Sequence, residues 1–269
     1  MNIDTRVLNK ENLEKLTYLG NRRVEAIVEE FVNLCRPDRV TVITDSPEDI
    51  AYVRRRAVEL GEERPLAMEG HTIHFDGYHD QGRDKKNTLV LIEPGEKLSD
   101  IIDVRDREDG LREIYQIMDG IMKGKECFIR FFSLGPVGSR FSILALQITD
   151  SAYVAHSEDI LYRPAYEQFK KLGASNDFFY LVHSAGELDE RGNTKNIKDR
   201  RIYIDLAGRR VLTVNNQYAG NSVGLKKLSL RLAIHKANQE DWLAEHMFIM
   251  GVKPEGKDRI TYFTGAPVK

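Results

Sequence analysis

Apolar residues recur along this chain with two periods. Over residues 10–35 they fall at helical spacing, with Val24, Ile27, Val28 and Phe31 on one face, which predicts a long helix broken near Gly20. "RVTVIT" (39–44) then reads as a strand. Ser46-Pro47-Glu48-Asp49 reads as a helix start: a capping serine, a proline in the first turn, then acids at the positive end of the dipole. "NTLVLIE" (87–93) is a further strand, 108–123 a helix and "CFIRFFSLGP" (127–136) a strand, and "FSILALQIT" (141–149) after a turn predicts a hairpin. Residues 161–172 read as helical and "DFFYLVHS" (177–184) as a strand. "RRIYIDLAGRRVLTV" (200–214) holds two alternating runs around Ala207-Gly208, a second hairpin. A helix over about 224–239 precedes the apolar "LAEHMFIMGV" (243–252), and "DRITYFTGA" (258–266) completes a β-pair. No repeat, low-complexity tract or Pro/Gly/Ser-rich linker divides the chain. Helices and strands interleaved in this order predict an α/β (mixed α+β) domain on a mixed sheet.

Composition narrows the function classes. The 269 residues carry 40 Lys plus Arg against 42 Asp plus Glu, a net charge of -2, which argues against a general nucleic-acid binder but leaves room for a local basic pocket. The 30% of charged residues fits a heat-adapted source. Cys35 and Cys127 stand far apart, without Cys-x-x-Cys spacing, and read as buried thiols rather than a disulfide or a zinc site. The polar N-terminus is no signal peptide, and no apolar run approaches the roughly 20 residues that span a bilayer. A soluble, cytoplasmic protein with no membrane partner is expected.

Three stretches depart from fold-building composition. "HTIHFDGYHDQGRDKK" (71–86) sets His71, His74 and His79 near Asp76 and Asp80, donors suited to zinc, against the plainer reading of an exposed loop leading to Arg83. "SLGPVGS" (133–139) reads as a hairpin turn that also permits close backbone approach. "YAGNSVGLKK" (218–227) has small residues that leave amides free to cradle an anion, then two lysines opening a helix, where cations oppose the dipole. It is not a Walker loop, since no Ser or Thr follows the lysine pair. His246 sits beside Glu245 in an apolar run and by itself reads as a satisfied core or edge residue.

"QYAGNSVGLKK" followed by "DWLAEHMFIMGV" closely resembles the GTP-dependent phosphoenolpyruvate carboxykinases, in which these segments read approximately Y-G-G-N-S-x-x-G-K-K and W-L-A-E-H-M-x-I-x-G. "FFSLGPVGS" and "ITDSAYVAHSEDI" are similar to further family segments, and the match runs from about residue 80 to the C-terminus and loosely over the first 80. The resemblance implies conversion of oxaloacetate and GTP into phosphoenolpyruvate, carbon dioxide and GDP, a gluconeogenic reaction, with manganese and a second divalent ion carried by the nucleotide. By motif position, Lys227 and His246 match the manganese ligands and Lys226 the lysine that meets the transferring phosphoryl group. Tyr218 matches an aromatic lying against the substrate carboxylate. Ala219 and Gly220 match the backbone turn beside it, with Ala219 departing from the usual glycine. Arg83 matches an arginine that holds the substrate carboxylate, a task suited to its forked donors. A lysine ligates only as the neutral amine, so the metal must depress its pKa. Oxaloacetate decarboxylation leaves an enolate, whose charge a divalent cation and fixed positive groups stabilise.

In the family the strand after W-L-A-E-H runs into T-G-A and a loop ending G-K-T, whereas this sequence reads T-G-A-P-V-K, with no G-K-[ST]. The resemblance therefore implies a substrate-side N-terminal domain over 1–252 and the beginning of a nucleotide-binding part over 253–269. GTP or GDP is then a partner only if the missing half is supplied. Two alternatives stand beside it: a non-catalytic fragment binding small dicarboxylates or a partner chain, and a zinc module on the 71–79 loop. Self-association through apolar surface around 258–266 is expected.

Overall fold

The computed structural model describes residues 1–77, 80, 84, 86–100, 102–140, 142–217, 234–241 and 248–265. The helical period at the start of the chain resolves into α1 (Lys10–Tyr18) and α2 (Arg22–Cys35), parted where Gly20 takes a φ of +65°. Asn21 fixes that break. Its side-chain oxygen caps α2 through the Arg23 and Val24 amides, and its NH2 donates to the Gly173 and Ser175 carbonyls. β1 (Arg39–Val42) and α3 (Pro47–Glu59) follow, α3 capped by Ser46 with Pro47 in its first turn. A short antiparallel pair, β2 (Arg64–Pro65) with β3 (Thr72–Ile73), leads to β4 (Thr88–Ile92), β5 (Val104–Asp106) and α4 (Arg107–Met118). Next come β6 (Glu126–Leu134), β7 (Ile143–Thr149), α5 (Ala152–Leu161), β8 (Arg163–Pro164), α6 (Tyr166–Leu172) and β9 (Phe178–Ser184). A 3-10 turn (Ile197–Asp199) precedes β10 (Arg201–Asp205) and β11 (Arg210–Val214). Beyond these lie helical residues 234–239, then β12 (Phe248–Val252) and β13 (Thr261–Gly265).

One sheet runs β1-β6-β7-β9-β11-β10-β4-β5, with β8 added to β6. β7, β9 and β11 are mutually parallel, while β6 and β10 run antiparallel to them on either side. The sheet is therefore mixed, as the element order predicts. Both sequence hairpins form, β6–β7 through the Gly135–Gly138 turn and β10–β11 through Ala207-Gly208. β6 is buried at all nine positions because helices cover both faces, which is why its sequence is nearly continuous in apolar residues. Ile129, Phe131, Ile148, Tyr180, Val182 and Leu212 meet Val24, Phe31, Ile114 and Phe169 of α2, α4 and α6. On the other face Phe128 packs with Ala152 and Ala155 of α5 and Val53 and Ala57 of α3. Each such large side chain contributes about 2 kcal/mol when fully buried. Both cysteines are buried free thiols.

One expected helix is corrected. Residues 161–172 do not form a single helix, because Pro164 lacks an amide proton and pushes Arg163 out of the α region, into β8. The preceding α5 gives no amphipathic signal, since Ala152, Val154, Ala155, His156 and Glu158 are all buried, spread around the helix.

The β10–β11 turn is locked by Asp205. Its carboxylate accepts from the Gly208 amide at 2.9 Å, Arg107 Nε at 2.8 Å and Arg210 Nε at 2.8 Å. A Cβ on Gly208 would lie 2.3 Å from Asp205 Oδ2, so the glycine is required for that approach. Burial by itself would push the Asp205 carboxyl up, but Arg107, the Gly208 amide and Arg210 outweigh it and hold the pKa below the usual range. A depressed carboxyl stabilises the fold above its unfolded pKa, near 3.9, and loses that contribution as pH falls through the folded value. Asp205→Asn is expected to cost about 3 kcal/mol at pH 7. The gap to wild type should narrow as pH drops below about 4, as urea unfolding at a series of pH values would show; a pH-independent gap would refute the assignment.

Candidate functional site

The C-terminal ends of parallel strands are where open α/β sheets place ligands. Here three neighbouring parallel strands end together: β7 at Thr149-Asp150-Ser151, β9 at His183-Ser184, and β11 at Asn215-Asn216-Gln217. Their polar side chains interlock. Asp150 accepts from Ser184 Oγ (2.6 Å), the Ala185 amide (2.8 Å) and Lys125 Nζ (2.7 Å), and Lys125 also donates to the Gly186 carbonyl (2.6 Å). Burial would push the Asp150 carboxyl up, but the Lys125 charge and the hydrogen bonds overcome it, so the group stays ionised. Gly186, at φ +69°, presses against Asn215; a Cβ there would sit 2.1 Å from Asn215 Oδ1. Asn215 itself turns the chain with φ +59° and donates its amide to the Ser184 carbonyl (2.9 Å).

His183 lies in this layer, fully buried. Its Nε2 faces the Asn216 carbonyl at 2.8 Å and its Nδ1 faces Thr149 Oγ1 at 2.7 Å. A carbonyl only accepts, so Nε2 carries the proton and Nδ1 accepts from the threonine hydroxyl. Burial lowers the His183 pKa and keeps the ring neutral.

Two further segments approach the same end. At the start of α5 the Glu62 carboxylate accepts from Ser151 Oγ, the Ala152 amide (3.1 Å) and the Tyr153 amide (3.0 Å). Withdrawal from water raises the Glu62 pKa against those hydrogen bonds. Glu62, His74, Arg191 and Gln217 line a cavity of about 380 Å³. The second segment is 80–84: Asp80 meets Arg200 Nη2 at 2.8 Å and Asp84 meets Arg200 Nη1 at 3.4 Å. Arg200 Nε reaches the Asn215 carbonyl at 3.4 Å, and the Gln217 amide donates to Asp80.

All seven site residues expected from the sequence, Arg83, Tyr218, Ala219, Gly220, Lys226, Lys227 and His246, lie outside the described residues, as does His79. Their immediate neighbours Asp84 and Gln217 are described. The described part of the 71–79 loop, residues 71–77, is not simply exposed: His71 is, but His74 is half-buried, stacked on Tyr153 with ring centroids 3.5 Å apart and Nδ1 2.6 Å from the Glu62 carbonyl. Asp80 is committed to Arg200. Among the described residues no three His, Cys, Asp or Glu gather as metal ligands, and His79, the third histidine of the zinc alternative, lies outside them. Sequence reading missed Asp150, His183, Arg200 and Glu62. The signal available for the first two was a polar residue closing an apolar strand.

Comparison with known proteins matches residues 26–238 to the phosphoenolpyruvate carboxykinase N-terminal domain. Over 97% of its length the chain is 55% identical to the phosphoenolpyruvate carboxykinase [GTP] of Thermococcus kodakarensis, of which it covers 42%. The protein of the same name from Pyrococcus furiosus is 53% identical over 97% of the chain and 41% of its own length. That from Chlamydia caviae is 30% identical over 89% and 41%. The chain thus spans about two-fifths of the length of these relatives. No helix among the described residues is long and apolar enough to cross a membrane.

A neutral His183 gives a pH signature. With its folded pKa below the unfolded value near 6.5, the unfolded chain binds the extra proton first, so stability present above pH 6.5 declines as pH falls toward the folded value. Nitrogen-15 NMR should find His183 as the neutral Nε2–H tautomer at pH 6; an imidazolium signal there would overturn the assignment.

Proposed function

The chain belongs to the phosphoenolpyruvate carboxykinase family, as its N-terminal domain, and from that premise we propose that it forms the substrate and manganese side of the GTP-dependent conversion of oxaloacetate to phosphoenolpyruvate. The observation that carries this reading is convergence. Asp84 and Gln217, the described neighbours of Arg83 and Tyr218, are linked through the Arg200–Asp80 pair at the C-terminal end of the parallel strands: Asp84 meets Arg200, and the Gln217 amide donates to Asp80. In this reading Arg83 holds a substrate carboxylate through paired donors, Tyr218 lies against that carboxylate and Ala219 and Gly220 form the backbone turn beside it, so that orientation lowers the entropic part of the barrier. Lys226 offers positive charge to the phosphoryl group. Lys227 and His246 would hold manganese, which supplies charge stabilisation for the enolate oxygen. Two nitrogen donors suit a divalent transition metal but leave most of an octahedron to water and substrate.

The 269-residue sequence contains no G-K-[ST] after Gly265 or elsewhere, which favours binding without phosphoryl transfer by this chain alone. The same absence keeps open a second reading, a dicarboxylate-binding chain with no turnover. Residues 1–252 are proposed as the substrate domain and 253–269 as the start of a nucleotide-binding part. A gluconeogenic role in the cytoplasm follows from the family reading.

β12 and β13 form a two-stranded sheet of their own, in which Ile249 is 77% and Tyr262 65% exposed. An isolated hairpin is marginal in water, and its outer edges offer unpaired backbone groups. A second copy of the chain satisfies both needs, because antiparallel pairing of identical edges is closed by a twofold axis. Light scattering should therefore show dimers at micromolar concentration; a monomer throughout that range would remove this proposal.

With manganese, oxaloacetate and GTP the purified chain is expected to yield no phosphoenolpyruvate, yet calorimetry should detect weak oxalate binding that manganese strengthens. Linkage requires oxalate to improve manganese affinity by the same factor. Arg83→Ala should abolish oxalate binding, and His246→Ala should remove only the enhancement by manganese. Robust turnover would contradict the first expectation, and unchanged oxalate affinity in Arg83→Ala would sink the assignment of that arginine.

A further inference from the structure

Arg200 is buried, 2% exposed, immediately before β10, and nothing in the family motifs above assigns it a role. Among the described residues its guanidinium meets three acceptors on two pieces of chain. Nη2 donates to Asp80 Oδ1 at 2.8 Å, Nη1 reaches Asp84 Oδ2 at 3.4 Å, and Nε reaches the Asn215 carbonyl at 3.4 Å. Asp80, 1% exposed, also accepts from the Gln217 amide, so the acid and the arginine each touch both the 80–84 segment and the end of β11. Arg83 is bonded to Asp84 and Tyr218 to Gln217, so each proposed substrate residue is one peptide from a gripped neighbour.

We propose that Arg200 is a positioning residue: its guanidinium, paired with Asp80, ties the segment carrying Arg83 to the strand end carrying Tyr218, so that the two halves of the dicarboxylate site are held in register. This rests on the substrate reading above. A planar fork suits the task, since three donors fixed in one plane engage separate acceptors without further loss of rotamer freedom. A lysine in its place would keep the charge but could not span all three acceptors.

The test uses the full chain with Arg200→Lys, Arg200→Met and the pair Asp80→Asn with Arg200→Met. The last avoids leaving a buried carboxylate without its partner, which alone unfolds many proteins. Amide exchange is read by mass spectrometry over peptides covering 76–87 and 213–221, with β6 and β7 peptides as the reference. In the double variant both site peptides should exchange about tenfold faster, while β6 and β7 keep wild-type rates; Arg200→Lys should fall between. Oxalate affinity should drop by about tenfold, the scale of one lost charge-assisted hydrogen bond. Unchanged exchange in either site peptide, or unchanged oxalate affinity, would overturn the proposal, as would acceleration across the whole sheet. A wild-type chain that binds no oxalate would instead defeat the substrate reading, and the paired exchange response would then decide the role of Arg200 by itself.

Discussion

A single ionised carboxylate, Asp150, holds the working end of the sheet together. It collects Lys125, Ser184 Oγ and the Ala185 amide, and so binds the end of β7 to the start of the loop after β9. Through Lys125 it also fixes the Gly186 carbonyl, and Gly186 in turn sets Asn215 against it with no room for a side chain. The path of the chain out of β11 follows from that contact. Each link is short and, apart from those of the half-buried Lys125, buried, so a change at Asp150 would be felt at Gln217 although the two residues come from different strands.

The opposite strategy appears beneath α5. Arg130 is buried within β6, paired with Asp159 and lying over Phe132 at 5.1 Å, and Gln147 on β7 is its cross-strand neighbour. Glu158 lies fully buried in the same layer, with neither oxygen hydrogen-bonded, and burial pushes its pKa well above the usual range. Burial in that setting favours the neutral form of the carboxyl. The core thus holds one paired charge and one neutralised acid side by side, and tolerates both because α5 and the sheet exclude water from each.

How much of this could be read from the sequence depends on which signal an element emits. α2 and α3 announced themselves through an apolar stripe and a Ser-Pro cap, and β6 and β7 through runs of apolar residues around a glycine turn. α5 was silent, since a helix buried around its circumference has no polar face to set a period. β5 and β8, at three and two residues, are too short to carry alternation. For the site, motif resemblance named Arg83, Tyr218 and the lysine pair, all outside the described residues. It could not point to Arg200 or His183. The setting of His183 comes from strand register: Thr149 and Thr213 flank it only because β7 and β11 lie on either side of β9. Register is a property of pairing between distant segments, and no local pattern of residues encodes it.

Glu62 has a consequence for what the crevice can recognise. The amino end of a helix is a fixed source of positive potential, and many folds aim one at a bound phosphate or carboxylate. Here a carboxylate from the chain itself already occupies the first turn of α5, taking up Ser151 Oγ and two amides. The backbone field at this spot is quenched from within. Attraction for an anionic ligand must then come from side-chain cations rather than from the amino end of α5. Selectivity placed there is adjustable by single substitutions, whereas a helix dipole can be altered only by rebuilding the fold.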